Sequence, residues 1–220
     1  MSASRRLLEI DKLAVEIQSM PALRGFTMHL TEGAMVSLVG RNGAGKTTLM
    51  RSIMGHLAPR QGTIRFGGED LAALPRHARA GLGIGYMPED RGLVPQLTVE
   101  ENILLPLWVA KGVDRKARMD FVYEVIGELV TMRDRKALLL SGGQQKLVAL
   151  GRALAIGTKC LLLDEPFEGI APALSERISD VLASLKGKGL TVLMSQSDLN
   201  HSHSLFDAEF IIERGANFSA

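Results

Sequence analysis

Short apolar runs alternate with longer amphipathic stretches along most of this chain. The runs at Leu7–Ile10, Phe26–Leu30, Met35–Val39, Thr63–Phe66, Ile84–Met87, Leu161–Leu163, Thr191–Met194 and Glu209–Ile212 have the length and patterning of strands. Between them, Lys46–Met54, Asp114–Val130, Gln144–Ile156 and Pro172–Leu185 are long enough, and suitably spaced in their apolar positions, for helices. This alternation predicts an α/β fold with a largely parallel central sheet. From about Thr98 to Leu140 the strand pattern stops and the reading is nearly all helix. Thr98 and Glu101 have capping-box spacing, which marks a helix start. Pro106 is expected to kink or end that helix, and Asp114 to cap the next. The expected organisation is one domain over 1–220, with a helical subdomain at approximately 92–140 inserted into the sheet-bearing core. No internal repeat and no low-complexity linker interrupts it.

Composition adds limits. The chain has 220 residues, 46% hydrophobic and 23% charged, which is an ordinary globular balance with enough length for a sizeable core. Its formal net charge of +2 gives no argument for nucleic acid. Cys160 is alone, so no internal disulfide exists, and its leucine neighbours predict an inert core position. No stretch approaches the roughly 18 apolar residues of a membrane span. Glu9 and Asp11 break any signal-peptide core. The expected location is the cytoplasm, with any attachment to a membrane made through a partner.

Three motifs carry chemistry. Gly40-Arg41-Asn42-Gly43-Ala44-Gly45-Lys46-Thr47, followed by Thr48, fits G-x-x-x-x-G-K-[ST] and stands between an apolar run and a helical stretch. Its glycines let successive backbone N–H groups curl around a phosphate, and the following helix adds the positive end of its dipole. Lys46 is placed to reach the β- and γ-phosphates, and Thr47 to ligate Mg²⁺. Leu161-Leu162-Leu163-Asp164-Glu165-Pro166 sets two carboxylates at the end of an apolar strand, where open α/β sheets bind ligands. Asp164 suits a Mg²⁺ shell, directly or through water, and Glu165 suits a general base acting on water. Leu140-Ser141-Gly142-Gly143-Gln144-Gln145 is a second anion site: Ser141 caps a helix expected to begin near Gln144, and the glycines expose its first amides. One chain has no need of two γ-phosphate sites unless one serves another subunit.

With these residues in place, the sequence resembles the ABC ATPase family over nearly its whole length. The resemblance implies a P-loop core with a mostly parallel sheet, an N-terminal antiparallel β portion and a helical subdomain. It implies that ATP and Mg²⁺ are the cofactors and that two nucleotide-binding domains sandwich two ATP molecules. In that arrangement Ser141, Gly142, Gly143 and Gln144 contact the ATP held by the partner. Four further segments, Ala22–Gly25, Tyr86–Glu89, Leu97–Asn102 and Glu168–Pro172, look like the ATPases of branched-chain amino-acid importers and of related importers for urea and short amides. The implied partners are a second ABC ATPase subunit, usually an unlike chain, transmembrane permease subunits and, indirectly, a periplasmic or extracellular solute-binding protein. The implied location is the inner face of the cell membrane, peripherally through the permease.

The sequence departs from the family at several positions. Glu89 stands where most members have a glutamine that contacts Mg²⁺, and the branched-chain group often has glutamate there. Ile17 aligns with the aromatic that stacks on adenine. Ser197 aligns with the switch histidine, where close relatives often have glutamine, and Ala171 aligns with the D-loop aspartate. The serine at 197 keeps a second reading open, a catalytically weak subunit that lends its signature to a second ATPase. A nucleic-acid ATPase of this family would carry a long coiled coil between Thr47 and Ser141, and no extended heptad run lies there. His201 and His203 read as a solvated helix face, not a metal site. Leu104, Leu105, Leu107 and Trp108 fit either core packing or a membrane partner. Arg76, His77, Arg79, Arg91, Arg115, Lys116 and Arg118 read as solvated charges, so no nucleic-acid partner is expected.

Overall fold

The computed structural model describes residues 5–197 and 205–217, and the two histidines at 201 and 203 fall outside them. The strands are β1 (Arg6–Ile17), β2 (Met20–Thr31), β3 (Met35–Val39), β4 (Gln61–Phe66), β5 (Glu69–Asp70), β6 (Ile84–Met87), β7 (Cys160–Leu163), β8 (Thr191–Gln196), β9 (Ala208–Glu213) and β10 (Ala216–Asn217). The α-helices are α1 (Lys46–Ile53), α2 (Ala78–Gly81), α3 (Val99–Val109), α4 (Arg115–Val125), α5 (Glu128–Met132), α6 (Gly142–Ile156) and α7 (Pro172–Leu185). They form a four-stranded antiparallel sheet, β2-β1-β4-β5, and a six-stranded sheet, β10-β9-β3-β8-β7-β6. The second sheet is parallel throughout except at the β10–β9 pair. This is the α/β architecture expected from the alternation, with the antiparallel N-terminal portion that the resemblance implies.

The central strands read as unbroken apolar runs because both faces of their sheet are covered. Side chains alternate between two cores, as the two-residue strand period requires. Leu161 and Leu163 of β7, with Val192 and Met194 of β8, face the core shared with α3, α4, α6 and α7. Cys160, Leu162 and Leu193 face the other core, where α1 lies between the parallel sheet and the antiparallel one. Cys160 is 1% exposed, and burial pushes its thiol up to about 12, as an inert core cysteine should be.

Helix ends are where the sequence reading needs correction. The stretch expected as one helix over Asp114–Val130 is two, α4 and α5, broken at Ile126 and Gly127. Pro106 does not end α3, which continues to Val109. The helix is anchored instead by buried Asn102, whose amide donates to the carbonyls of Val94, Leu97 and Thr98 while its Oδ1 accepts from Val94 N–H. That tertiary anchoring outweighs the one main-chain bond that a proline removes. Helix α6 starts at Gly142, two residues before the expected Gln144, with Ser141 and Gln144 forming a reciprocal capping box. Leu107 is buried and Leu104 packs on the core, whereas Trp108 is 45% exposed.

Two of the charges read as solvated are anchors, Arg79 buried and Arg118 half-buried. The Arg79 guanidinium is 6% exposed and donates to the carbonyls of Ser52, Ile53 and Leu71, closing the C-terminus of α1. Arg118 does the same for α6 through the carbonyls of Leu154, Ala155 and Gly157. The β6–α6 contact is equally specific. A Cβ at Gly85 would stand 2.1 Å from the carbonyl oxygen of Ala153. Gly85→Ala is therefore expected to lower the unfolding free energy by roughly 1–3 kcal/mol, the range for overpacking. Urea denaturation of the two chains checks this.

Candidate nucleotide-hydrolysis site

Sheet order assembles the site. β3, β8 and β7 are neighbours, and the parallel register brings their C-terminal ends to one edge: Val39 pairs with Gln196, and Leu163 with Met194. The three loops leaving those ends carry Lys46, Ser197 and Glu165. Residues more than a hundred positions apart therefore meet at one point, outside the carboxyl ends of the strands where such sheets bind ligands.

The loop after β3 is shaped by two glycines in left-handed conformations, Gly43 at φ 80° and Gly45 at φ 112°. Gly40 is held by close approach instead, since a Cβ there would lie 2.4 Å from the carbonyl oxygen of Ile212. The loop ends at the N-terminus of α1, whose first residue is Lys46. Lys46 is buried, and its ammonium donates to the carbonyls of Gly40 and Arg41 and pairs with Glu165 Oε1 at 2.9 Å. A cleft of about 540 Å³ opens beside it, lined in part by Asn42, Gly43, Gly45, Thr47, Thr48 and Glu89. Arg41 is exposed at the loop, and Ala44 is buried beneath it.

Glu165 is fixed from three sides. Its backbone has a positive φ of 48°, a costly conformation for a residue with a side chain. Its N–H donates to Ser195 Oγ at 2.9 Å, and Ser195 Oγ donates in turn to Asp164 Oδ1 at 2.7 Å. Its carboxylate accepts from the Ser197 N–H at 3.2 Å and the Ser197 hydroxyl at 2.6 Å. Ser197 Oγ also lies 2.7 Å from Asn42 Oδ1 and 3.4 Å from Lys46 Nζ. The serine thus touches the lysine, the glutamate and the phosphate loop together.

Asp164 is fully buried. Burial raises its carboxyl above the usual range, against hydrogen bonds from Ser195 and Thr47 that favour the charged form. Tyr86 reaches its other oxygen at 3.4 Å. Glu89 is exposed at the rim. Its carboxyl is raised first by desolvation and then by Glu168, Asp164 and Glu165. Among the described residues no group of three or more His, Cys, Asp or Glu side chains is placed to hold a metal by itself. Mg²⁺ needs no such cage, because it is usually held by one or two carboxylates together with substrate phosphates and water. The Thr47 hydroxyl against Asp164, with Glu89 at the rim, fits an ion of that kind.

Other expected residues lie elsewhere. Ile17 ends β1, is 42% exposed and does not line the cleft; Pro21, Ala22 and Arg24 of β2 line that side instead. Ser141, Gly142, Gly143 and Gln144 cap α6 and do not line the cleft either. Ser195 and Lys146 have no site role in the sequence reading, and Tyr86 stands there only within the segment Tyr86–Glu89. The signal for Ser195 was a polar residue at the end of an apolar strand. For Lys146 it was a lysine directly before the apolar run Leu147–Leu150.

The chain as a whole is similar to known proteins. The family described as ABC transporter matches residues 23–168. The high-affinity branched-chain amino acid transport ATP-binding protein BraG of Pseudomonas aeruginosa is 34% identical over 95% of this chain and 90% of its own. The lipopolysaccharide export system ATP-binding protein LptB of Haemophilus influenzae is 33% identical over 95% of this chain and 88% of its own. Among solved structures, an ATP-binding cassette of an ABC transporter in its ADP conformation superposes with a TM-score of 0.83 at 28% identity, covering 98% of this chain and 91% of that one. An ATP-binding subunit of an ABC transporter gives 0.85 at 27%, covering 97% and 88%.

Proposed function

The chain belongs to the ABC transporter family as an ATP-binding, ATP-hydrolysing subunit, and from that premise we propose that it powers import of branched-chain amino acids or a related small solute such as urea or amides. The observation that carries its catalytic part is the meeting of Lys46, Ser197 and Glu165 at one point of the cleft. Lys46 and the loop amides bind the phosphates. Thr47 and Asp164, with Glu89 at the rim, would hold Mg²⁺, which would supply charge neutralisation for the phosphates. Glu165 accepts the proton of the attacking water, and the Ser197 hydroxyl and N–H fix which way its carboxylate points. This placement favours a working hydrolytic centre over a subunit that only lends its signature. The short serine does what the reading requires because the β8 end brings it against the carboxylate.

The solute class rests on narrower support. Identity to the export-system relative is close to identity to the amino-acid one, 33% against 34%. The segments Ala22–Gly25, Tyr86–Glu89, Leu97–Asn102 and Glu168–Pro172 carry the choice of importer. The proposed assembly has a second ATPase subunit, an unlike chain, with permease subunits in the membrane and a solute-binding protein outside it. No helix of the described residues is long and apolar enough to cross a membrane, so the permease provides the attachment at the cytoplasmic face. Purifying the complex from its native membrane and identifying its subunits and bound solute tests this. A lipopolysaccharide-export assembly in place of an importer overturns it.

The signature is proposed to serve the partner's ATP, since none of its residues lines this chain's own cleft. Ser141→Arg in one chain of an unlike pair should leave ATP affinity of the isolated chain unchanged. It should lower hydrolysis at the partner's phosphate loop, because the bulk of arginine blocks closure. ATP affinity is measured on the single chain and turnover on the pair. Loss of single-chain binding with normal paired hydrolysis would place the signature in cis.

A further inference from the structure

Lys146 belongs to neither the phosphate loop nor the acidic strand end, yet it is 3% exposed and lies in the first turns of α6, just after the signature. A buried ammonium is expensive unless it is fully hydrogen-bonded. Its bonds go to main chain. Nζ donates to the carbonyl of Glu165 at 3.1 Å and to the carbonyl of Glu168 at 2.6 Å. The Glu165 carbonyl also accepts from the Glu168 N–H at 3.2 Å. Lys146 therefore closes the turn that begins at the strained Glu165. Desolvation and nearby Arg91 lower its pKa, while the carboxylates of Glu168, Glu165 and Glu89 act the other way.

Two more side chains of the same helix hold the loop that follows Glu89. Arg91 donates to Gln145 Oε1 at 3.0 Å, and Arg152 donates to the carbonyls of Gly92 at 2.7 Å and Arg91 at 2.6 Å. Helix α6 thus grips both loops that carry carboxylates into the cleft, and its own N-terminus is the signature. A shift of α6 at the signature end must move the Glu165 main chain, because the Lys146 bridge is short and buried.

We propose that Lys146 is a positioning residue for hydrolysis, tying the signature end of α6 to the backbone of Glu165 and so setting where the Glu165 carboxylate stands. The inference rests on Glu165 being the general base. It makes engagement of the signature by a partner felt at this chain's own base, through one side chain.

The test removes the ammonium while keeping most of the side chain's length and volume. In Lys146→Met the Glu165 carbonyl keeps its bond from Glu168 N–H, and a desolvated charge is removed. The thermal midpoint is therefore expected to hold or rise. Turnover is expected to fall about 10- to 100-fold, the scale of a small misplacement at a reacting group. ATP affinity of the isolated full chain should stay within about twofold, since Lys46 and Thr47 are untouched. Lys146→Gln, whose amide is too short to bridge both carbonyls, is expected to lose turnover several-fold, again at unchanged affinity. It serves alone if the methionine variant does not fold. In a Glu165→Gln background, Lys146→Met should cost nothing further, because its effect passes through Glu165.

Wild-type turnover in any folded Lys146 variant overturns the proposal. So does a loss matched by an equal loss of ATP affinity, or a loss that adds fully to that of Glu165→Gln. Failure of the underlying reading looks different: Glu165→Gln alone then hydrolyses at the wild-type rate.

Discussion

Glu165→Gln is expected to slow ATP hydrolysis by about 10²- to 10⁴-fold while ATP remains bound, the usual contribution of a positioned general base. The substitution keeps the shape of the side chain. An amide oxygen can still accept from Ser197 and from Lys46, which now approach the carboxylate at 2.6 Å and 2.9 Å. The backbone of Glu165 should stay in place, because its positive φ is held by Ser195, Lys146 and Glu168, none of which contacts the changed atom. What is lost is the ability to take a proton from water. Binding, which depends on the loop amides, Lys46 and Thr47, should be nearly unchanged. A pair of chains that binds but cannot hydrolyse accumulates in its closed state. Single-turnover hydrolysis and retention of labelled ATP on gel filtration read the two effects separately. Wild-type turnover in this variant removes Glu165 from the chemistry.

The elements easiest to read in the sequence are short apolar runs bounded by glycine or proline, and a helix marked by its first residue. Met35–Val39 and Ile84–Met87 have the same bounds in the structure as in the pattern, and so does the helix Pro172–Leu185 with proline at its start. The phosphate loop was legible because its chemistry is local: eight consecutive residues specify it. Tertiary features were not. The Ser197 contact with Glu165 depends on β8 lying between β3 and β7, an order that no local pattern encodes. Arg79 looked like a surface charge because its carbonyl partners come from α1 and from Leu71, remote in sequence from the arginine or unremarkable in composition. The break between α4 and α5 did have a signal, Gly127, but a single glycine inside an amphipathic pattern is often tolerated. The short strands β5 and β10 have two residues each, too few for any period to show.

Lys46→Ala is expected to weaken ATP binding by roughly 10- to 100-fold and to remove productive turnover. The estimate follows from one charge-assisted hydrogen bond to phosphate, worth about 1.5–3 kcal/mol, at about 1.4 kcal/mol per tenfold. A second effect appears before any nucleotide is added. Lys46 and Glu165 form a buried pair with side chains 5% and 9% exposed, and truncating the lysine leaves the carboxylate without its counter-charge. Breaking one partner of such a pair costs about 3–5 kcal/mol, whereas removing both charges costs far less. Lys46→Ala should therefore melt earlier than the unchanged chain without ligand, and adding Glu165→Gln to it should restore much of the midpoint. The double variant should still bind ATP weakly, because the carboxylate is not what holds the phosphates. Calorimetric unfolding of the two variants, with ATP titration of each, separates the lysine's contribution to the fold from its contribution to the ligand. If ATP affinity and turnover survive in Lys46→Ala, the phosphate-loop assignment fails. If the double variant recovers ATP affinity along with its midpoint, the lysine's service is to the fold and not to phosphate.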